Sequence, residues 1–319
     1  MLRLLGFDTA RKASVLGADS GYVKRKIACL ILTSLMAVPA VAGESNFLVR
    51  KRVSEMQLTL VATDQNDRPL SHLSPTDILV LEEGQPIPHF ELRSATDLPM
   101  RIALVLDLSD STVKSWATIG STLVHSLQQV MRPNDELLVL AFNSKVEMER
   151  TVTDPAELGA ILAHPTTGGL TALYDALYHA CGQAVFSDDR EPHRSALILF
   201  SDGDDDLSMH GLDDAIARAE RRGISIYTVT AHDPKKNAPG DTILHDLATT
   251  TGGKDYIVKN AGELRDALSA INIELRNSYL LYYPVPEESG TRAFHRVRVI
   301  PAQRDGSCLR SRAGYFTAP

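Results

Sequence analysis

Residues 104–111 read Leu104-Val105-Leu106-Asp107-Leu108-Ser109-Asp110-Ser111, and this stretch decides the fold. The apolar run 102–106 breaks abruptly into a carboxylate and two hydroxyls at alternate positions. Four to eight apolar residues ending in a polar cluster describe a buried parallel strand running into a loop at its carboxyl end. In open α/β sheets, ligands bind at that edge. Asp107, Ser109 and Ser111 offer only hard oxygen donors, which suit Mg²⁺, Mn²⁺ or Ca²⁺ and not zinc or copper.

Outward from this stretch, strands and helices alternate. Helix patterns cover about 115–131, 171–186, 212–222, 242–250 and 261–276, and Asp154-Pro155 has the look of a further helix start. Apolar strand runs fall at 136–143, 196–200, 225–230 and 255–258, with 146–152 turning back antiparallel. Such alternation over 100–276 implies an α/β fold, a doubly wound and mostly parallel sheet. The flanks read differently. Residues 47–97 hold strand patterns at 56–63, 78–82 and 88–92, the last two joined as a hairpin through Glu83-Gly84. Residues 278–317 return to β, with Tyr279, Tyr282 and Tyr283 in one run and Val297 and Val299 in another. Each flank has too few strands to stand alone, so the two are expected to pair as a small β-domain built from both chain ends.

The 319 residues are 44% hydrophobic and 23% charged, a globular composition. Lys24-Arg25-Lys26, the apolar run 27–38 and Ala40-Val41-Ala42 form a secretory signal, so residues 1–42 are expected to be cleaved on export to the periplasm or beyond. The run is short and Pro39 interrupts it, which argues against an anchor. No membrane span is then expected after cleavage. Cleavage takes six of the 33 Lys and Arg and two of the 40 Asp and Glu, leaving 27 against 38, a net charge of −11. Such a surface speaks against nucleic acid as a partner. Cys29 leaves with the signal; Cys181 and Cys308 either pair or, with Cys181 inside a helical pattern, stay free.

Two further stretches bear on the opening one. Gly168-Gly169-Leu170-Thr171 brings a threonine to the start of a helix, where plain N-capping is the competing explanation. Leu197-Ile198-Leu199-Phe200-Ser201-Asp202-Gly203 repeats the buried strand ending in a carboxylate, and its bland alternative is an Asp-Gly turn. If strands 102–106 and 197–200 are neighbours, Asp107, Ser109, Ser111, Thr171 and Asp202 supply five oxygens and two negative charges at one sheet edge. That donor set matches a hard divalent cation with a position left for an external ligand. Asp204, Asp205 and Asp206 read as a solvated acidic extension of the loop.

Asp107-x-Ser109-x-Ser111, Gly-Gly-x-Thr171 and Ser201-Asp202-Gly203 together resemble the metal-ion-dependent adhesion site of von Willebrand factor type A (VWFA) domains, over residues 100–275. The segments Thr63-Asp64 to Pro69, Leu73-Ser74-Pro75-Thr76-Asp77, Leu81-Glu82-Glu83-Gly84 and Arg312-Ala313-Gly314-Tyr315-Phe316 resemble the bacterial exported VWFA-related group of the Acidobacteria type. The resemblance implies an adhesion module in which Mg²⁺, or Mn²⁺ or Ca²⁺, bridges the site to an Asp or Glu carboxylate of a protein partner. Asp110 stands where many members carry glycine or a neutral residue.

Enzyme signatures are missing from the sequence: it contains no nucleophile elbow, zinc helix or phosphate loop. The rival chemistry is a metal-dependent hydrolase or phosphoryl-transfer enzyme with Asp107 as nucleophile, but such enzymes want an Asp two positions on, where Ser109 stands. A third possibility is a β-domain scaffold with an idle metal site. The expectation is a binding module and not an enzyme.

Overall fold

The apolar run at residues 102–106 becomes the middle of the central sheet. A computed structural model describes residues 53–186, 192–232, 238–286, 293–303 and 306–316; the expected signal segment 1–42 lies outside them. In chain order the strands are β1 (Val53–Thr63), β2 (Ile78–Glu82), β3 (Gln85–Pro86), β4 (Glu91–Ser94), β5 (Met100–Asp107), β6 (Glu136–Phe142), β7 (Val146–Val152), β8 (Arg194–Phe200), β9 (Ser225–Ala231), β10 (Asp255–Val258), β11 (Tyr279–Pro286), β12 (Phe294–Pro301), β13 (Cys308–Arg310) and β14 (Gly314–Phe316). The helices are α1 (Val113–Val130), α2 (Leu158–Ile161), α3 (Leu173–Ala180), α4 (Leu212–Arg221), α5 (Pro239–Thr251) and α6 (Ala261–Arg276).

The central sheet has the order β10-β9-β8-β5-β6-β7. Five strands are parallel and β7 runs antiparallel to β6 at the edge. Alternate residues face opposite layers, as the two-residue period of a strand requires. Ile102, Leu104 and Leu106 pack with Leu123 and Leu127 of α1 and with Leu264, Leu268 and Ile271 of α6. Ala103, Val105, Leu197 and Leu199 pack with Leu173 and Leu177 of α3, Ala215 of α4 and Leu244 of α5. From β5 the chain steps to β6 on one side, and later reaches β8 on the other side of β5. The carboxyl ends of β5 and β8 therefore flank the point where the winding reverses, the position at which open α/β sheets hold ligands. The expected fold class stands.

Two antiparallel sheets accompany it, ordered β13-β1-β11-β4 and β14-β12-β2-β3. Leu58, Leu60, Val80, Leu281, Tyr283, Val297 and Val299 share their core. Strand β1 pairs with β11 from Val53↔Pro286 to Leu60↔Tyr279, and β2 pairs with β12. The link from β13 to β14 rests on helix C-termini. The Arg310 Nε donates to the Gly252 carbonyl (3.2 Å), the Ala313 amide to that of Thr250 (2.9 Å), and the Arg312 guanidinium to that of Glu220. Guanidinium groups suit the negative ends of α4 and α5.

Two local expectations need correction, and one open alternative is decided. The hairpin through Glu83-Gly84 is only the short β2–β3 pair, and residues 91–94 cross to the other sheet to pair with β11. Pro86 and Pro88 lack the amide donor that a continued ladder would use. The helix expected over 171–186 spans only Leu173–Ala180, with a separate 3-10 turn at Ala184–Phe186. Gly182 leaves space that the Arg218 guanidinium of α4 occupies, and a Cβ there would collide with it. Cys181 is a buried free thiol and Cys308 an exposed one, so the two do not pair.

Candidate metal centre

The register Leu106↔Phe200 sets Asp107 beside Ser201 at the carboxyl ends of β5 and β8. The Ser201 hydroxyl donates to Asp107 Oδ2 (2.7 Å), and the Ser109 hydroxyl (2.6 Å) and amide (3.0 Å) donate to Oδ1. The Ser109 and Ser111 hydroxyls lie 3.1 Å apart. Asp107, Ser109 and Ser111 thus form one hydrogen-bonded cluster, with Asp107 and Ser109 buried and Ser111 exposed. Thr112 closes the loop from behind by donating to the Asp107 carbonyl (2.7 Å).

The second loop lies directly on the first. The Gly168 amide donates to the Leu108 carbonyl (2.7 Å), and the Asp110 amide donates to the Gly169 carbonyl (3.0 Å). Both glycines have positive φ, 106° and 92°, a backbone that L side chains adopt with strain. Thr171 follows, 2% exposed. It does not cap α3. The Asp205 carboxylate does so instead, accepting from the amides of Leu173 (2.7 Å) and Tyr174 (3.3 Å). The Thr171 amide donates to Asp206 Oδ2 (3.0 Å), and the Thr171 carbonyl accepts from the amides of Asp206 (2.8 Å) and Leu207 (3.0 Å). The Thr171 hydroxyl has no hydrogen-bond partner among the described residues.

Asp202 follows β8, half-buried, with the Asp204 amide donating to its Oδ1 (3.3 Å). Its charge is felt at Asp107. Burial is the main force pushing the Asp107 carboxyl above the ordinary carboxylate range, and the Asp202 charge adds to it. Hydrogen bonds from Ser109 and Ser201 oppose the rise. Among the described residues no Lys or Arg forms an ion pair with Asp107 or Asp202. A buried carboxylate next to a second one, with hydroxyls around them and no cationic side chain to balance them, is a donor set that fits a hard divalent cation. Among the described residues no group of three His, Cys, Asp or Glu side chains could hold a metal ion; the candidate set of two carboxylates and three hydroxyls is of a different composition.

Ser201, Asp205 and Asp206 are seen in the sequence, but the contacts they make are not assigned there. Ser201 was detectable from its place before Asp202 at the end of a strand adjacent to β5. Asp205 and Asp206 correct the expectation of a merely solvated acidic loop: both hold the Thr171 loop to the Asp202 loop. Asp205→Ala is expected to cost about 1 kcal/mol, the usual range for a lost helix cap. It should also free the Thr171 loop, raising amide exchange at Leu173 and Tyr174 while exchange in β5 stays unchanged. Unaltered exchange at both amides would show that another group caps α3.

The pH response follows from Asp107. Its carboxyl is raised in the folded state, so its ionisation disfavours the metal-free fold. That part of the stability is complete below the unfolded-state value and is lost as pH rises through the folded one. Asp107→Asn should therefore raise the metal-free melting temperature at pH 7.5 and leave it almost unchanged at pH 4. It should also remove any increase on adding Mg²⁺. Melting curves of both proteins at the two pH values, with and without Mg²⁺, check this.

An α/β sheet with hydroxyls and carboxylates gathered at its switch point places the chain among open, doubly wound α/β domains with a polar carboxyl edge. The von Willebrand factor type A domain family matches residues 102–270, more than half of the chain, and the chain belongs to that family. No curated protein sequence matches it. Among solved structures it is similar to proximal thread matrix protein 1 from the mussel byssus, at 13% identity and TM-score 0.46, covering 61% of this chain and 49% of that one. It is similar also to BatB from Bacteroides thetaiotaomicron (15% identity, 54% and 98% covered, TM-score 0.42). Manganese-loaded TRAP from Plasmodium vivax is a third (14% identity, 72% and 98% covered, TM-score 0.43). The chain spans about half the length of the mussel protein.

Proposed function

We propose that this chain is an exported protein-binding module that captures its partner through one divalent cation, Mg²⁺ or alternatively Mn²⁺ or Ca²⁺. Asp107, Ser109, Ser111, Thr171 and Asp202 hold the ion, and an Asp or Glu carboxylate of the partner completes its coordination. The observation that carries the reading is the interlocking of three loops at the β5–β8 switch point, with Asp205 capping α3 so that the Thr171 hydroxyl stays available. The ion supplies charge neutralisation and an open coordination position. The chain's residues supply a fixed cradle and take part in binding, not turnover. Export rests on the signal features of residues 1–42 and on the flanking segments' resemblance to the exported VWFA-related group. Among the described residues no helix is long and apolar enough to cross a membrane.

The test is retention of envelope proteins on the immobilised mature chain, in Mg²⁺ and in excess chelator, before and after esterifying the carboxylates of the extract. Retention that needs both the metal and free carboxylates is the expected result. Retention undiminished in chelator would overturn the metal bridge and move the interaction to the β sheets.

A further inference from the structure

The central sheet ends in an uncovered edge at β10. The Thr228 amide donates to the Lys254 carbonyl (3.2 Å), and the parallel register from Asp255↔Thr228 to Val258↔Ala231 continues that ladder through the backbones of Tyr256 and Val258. A parallel strand turns every second residue toward one neighbour, so the amides and carbonyls of Asp255 and Ile257 point away from β9. No described strand lies on that side. Beside this edge is a cleft of about 520 Å³. Strand β10 forms one wall and the α6 stripe Ala267, Ala270 and Ile273 the other, with Ile273 44% exposed. The turn Asp67-Arg68-Pro69, which follows β1, also lines the cleft, and the Asp67–Lys254 ion pair (3.0 Å) fixes it at the start of β10.

Charge is unbalanced at one end of the cleft. At the start of β10, Lys254 is paired with Asp67, Glu274 with Arg310, and Arg68 lies close enough to Asp64 for their charges to interact. At the other end, Glu263 and Asp266 line the cleft, and no described Lys or Arg pairs with either. Glu263 accepts from the Lys259 amide (2.9 Å) and the Asn260 side chain (3.1 Å), neutral donors that leave its charge in place. Neither Lys259 nor Arg265 lines the cleft.

We infer that this cleft is a docking site separate from the metal centre, in which an extended segment of a partner protein adds to β10 as a further strand of the central sheet. Its apolar side chains lie against Ala270 and Ile273, and a Lys or Arg reaches Glu263 and Asp266. In such strand addition the edge backbone supplies affinity and the facing stripe selects alternate side chains. From Glu263 to Ile273 helix α6 rises about 15 Å, the span of about five extended residues. Two uncompensated acids, on a chain of net charge −7, favour a basic partner over a second copy of this chain.

Hydrogen exchange of the mature chain in excess chelator tests this apart from the metal centre. The probes are the peptide acetyl-Lys-Val-Thr-Val-Thr-Val-amide, the same residues in reverse order, and both with Glu in place of Lys. Without peptide, the Ile257 amide should exchange fast and those of Tyr256 and Val258 slowly. A saturating Lys peptide of one order is expected to slow Ile257 at least about tenfold, and its Glu version to bind about tenfold more weakly. Methylating alternate peptide amides should abolish binding for one set and spare it for the other, because only one set faces β10. Ile257→Pro removes the edge donor without touching the β9 ladder and should weaken the Lys peptide about tenfold, the loss of one backbone hydrogen bond. Glu263→Lys combined with Asp266→Lys should reverse the preference to the Glu peptide. Mg²⁺ titration should stay as in the parent for both variants. No protection of Ile257 by either order, equal binding of Lys and Glu versions, or indifference to the methylation pattern would overturn the strand site and leave the metal bridge standing. Ile257 protection without peptide that rises with protein concentration would assign the edge to a second copy and overturn it as well.

Discussion

Asp202→Ala will leave the chain folded and reduce divalent-ion affinity on the order of 100-fold or more, the effect of removing one of two charged ligands from a hard-cation site. Its role in the fold is small. The one hydrogen bond described for its side chain is a 3.3 Å contact from the Asp204 amide, and the turn itself is held by neighbours: Ser201 through Asp107, and Gly203 through a φ of +85°. Its role in charge is large. With Asp202 gone, Asp107 would carry the only formal charge of the set, and a divalent ion would remain half-neutralised in a partly buried site. Removal also withdraws one of the influences that raise the Asp107 carboxyl, so the metal-free variant should be no less stable than the parent. Calorimetric titration with Mg²⁺ and Mn²⁺, beside circular dichroism, measures both consequences. Equal titrations for the two proteins would remove Asp202 from the ligand set, and a collapsed spectrum would assign it a structural role instead.

Gly240→Ala is expected to have the larger effect on stability, although Gly240 lies some distance along the chain from every candidate ligand. It is buried in the first turn of α5, and a Cβ built on it would overlap the Asp202 carbonyl. In the same contact, a Cβ on Gly203 would overlap the Gly240 carbonyl. Two backbones therefore meet with no side chain between them, and neither can give way as a flexible side chain would. One added methyl group must push the Asp202 turn and the start of α5 apart. Overpacking of this kind costs about 1–3 kcal/mol. The displaced turn carries Asp202, so Mg²⁺ affinity should fall together with the melting temperature. Ala238→Gly, just outside the helix, provides a comparison in which the metal titration should be retained. A Gly240→Ala protein with the parent's melting temperature and Mg²⁺ titration would show that the contact is loose.

The central sheet was legible in the sequence because buried parallel strands write themselves as continuous apolar runs with abrupt polar ends. Residues 102–106 and 197–200 carry that signature, and it is enough to bring Asp107 and Asp202 to one edge. The partner relations that fix the site were not legible. Asp205 caps a helix that begins 32 residues earlier, so no local pattern could distinguish it from a solvated carboxylate. Local preference pointed instead to Thr171, a good capping residue in the right place. Asp206 was misread for the same reason. The early end of α3 was hidden because the apolar pattern continues through Val185 and Phe186, while Gly182, which faces the Arg218 guanidinium of α4, interrupts it only weakly. The departure of residues 91–94 to another sheet was foreshadowed only by Pro86 and Pro88, whose missing donors weaken a ladder without naming the alternative.

The pairing of β1 with β11 has a consequence for how the chain acquires its shape. Leu60 lies opposite Tyr279 and Val53 opposite Pro286, so more than 200 residues separate partners in one ladder. β2 likewise waits for β12, and β1 for β13 on its other edge. Contacts of such long range form slowly, because the intervening loop must close before they repay its entropy. Strands of the central sheet meet neighbours much closer in sequence and can assemble first. During synthesis, the apolar face of Leu58, Leu60 and Val80 therefore lacks the cover of Leu281, Tyr283, Val297 and Val299 until β11 and β12 emerge. Under the proposed export, this ordering would postpone the tight state until both halves of the ladder have emerged together.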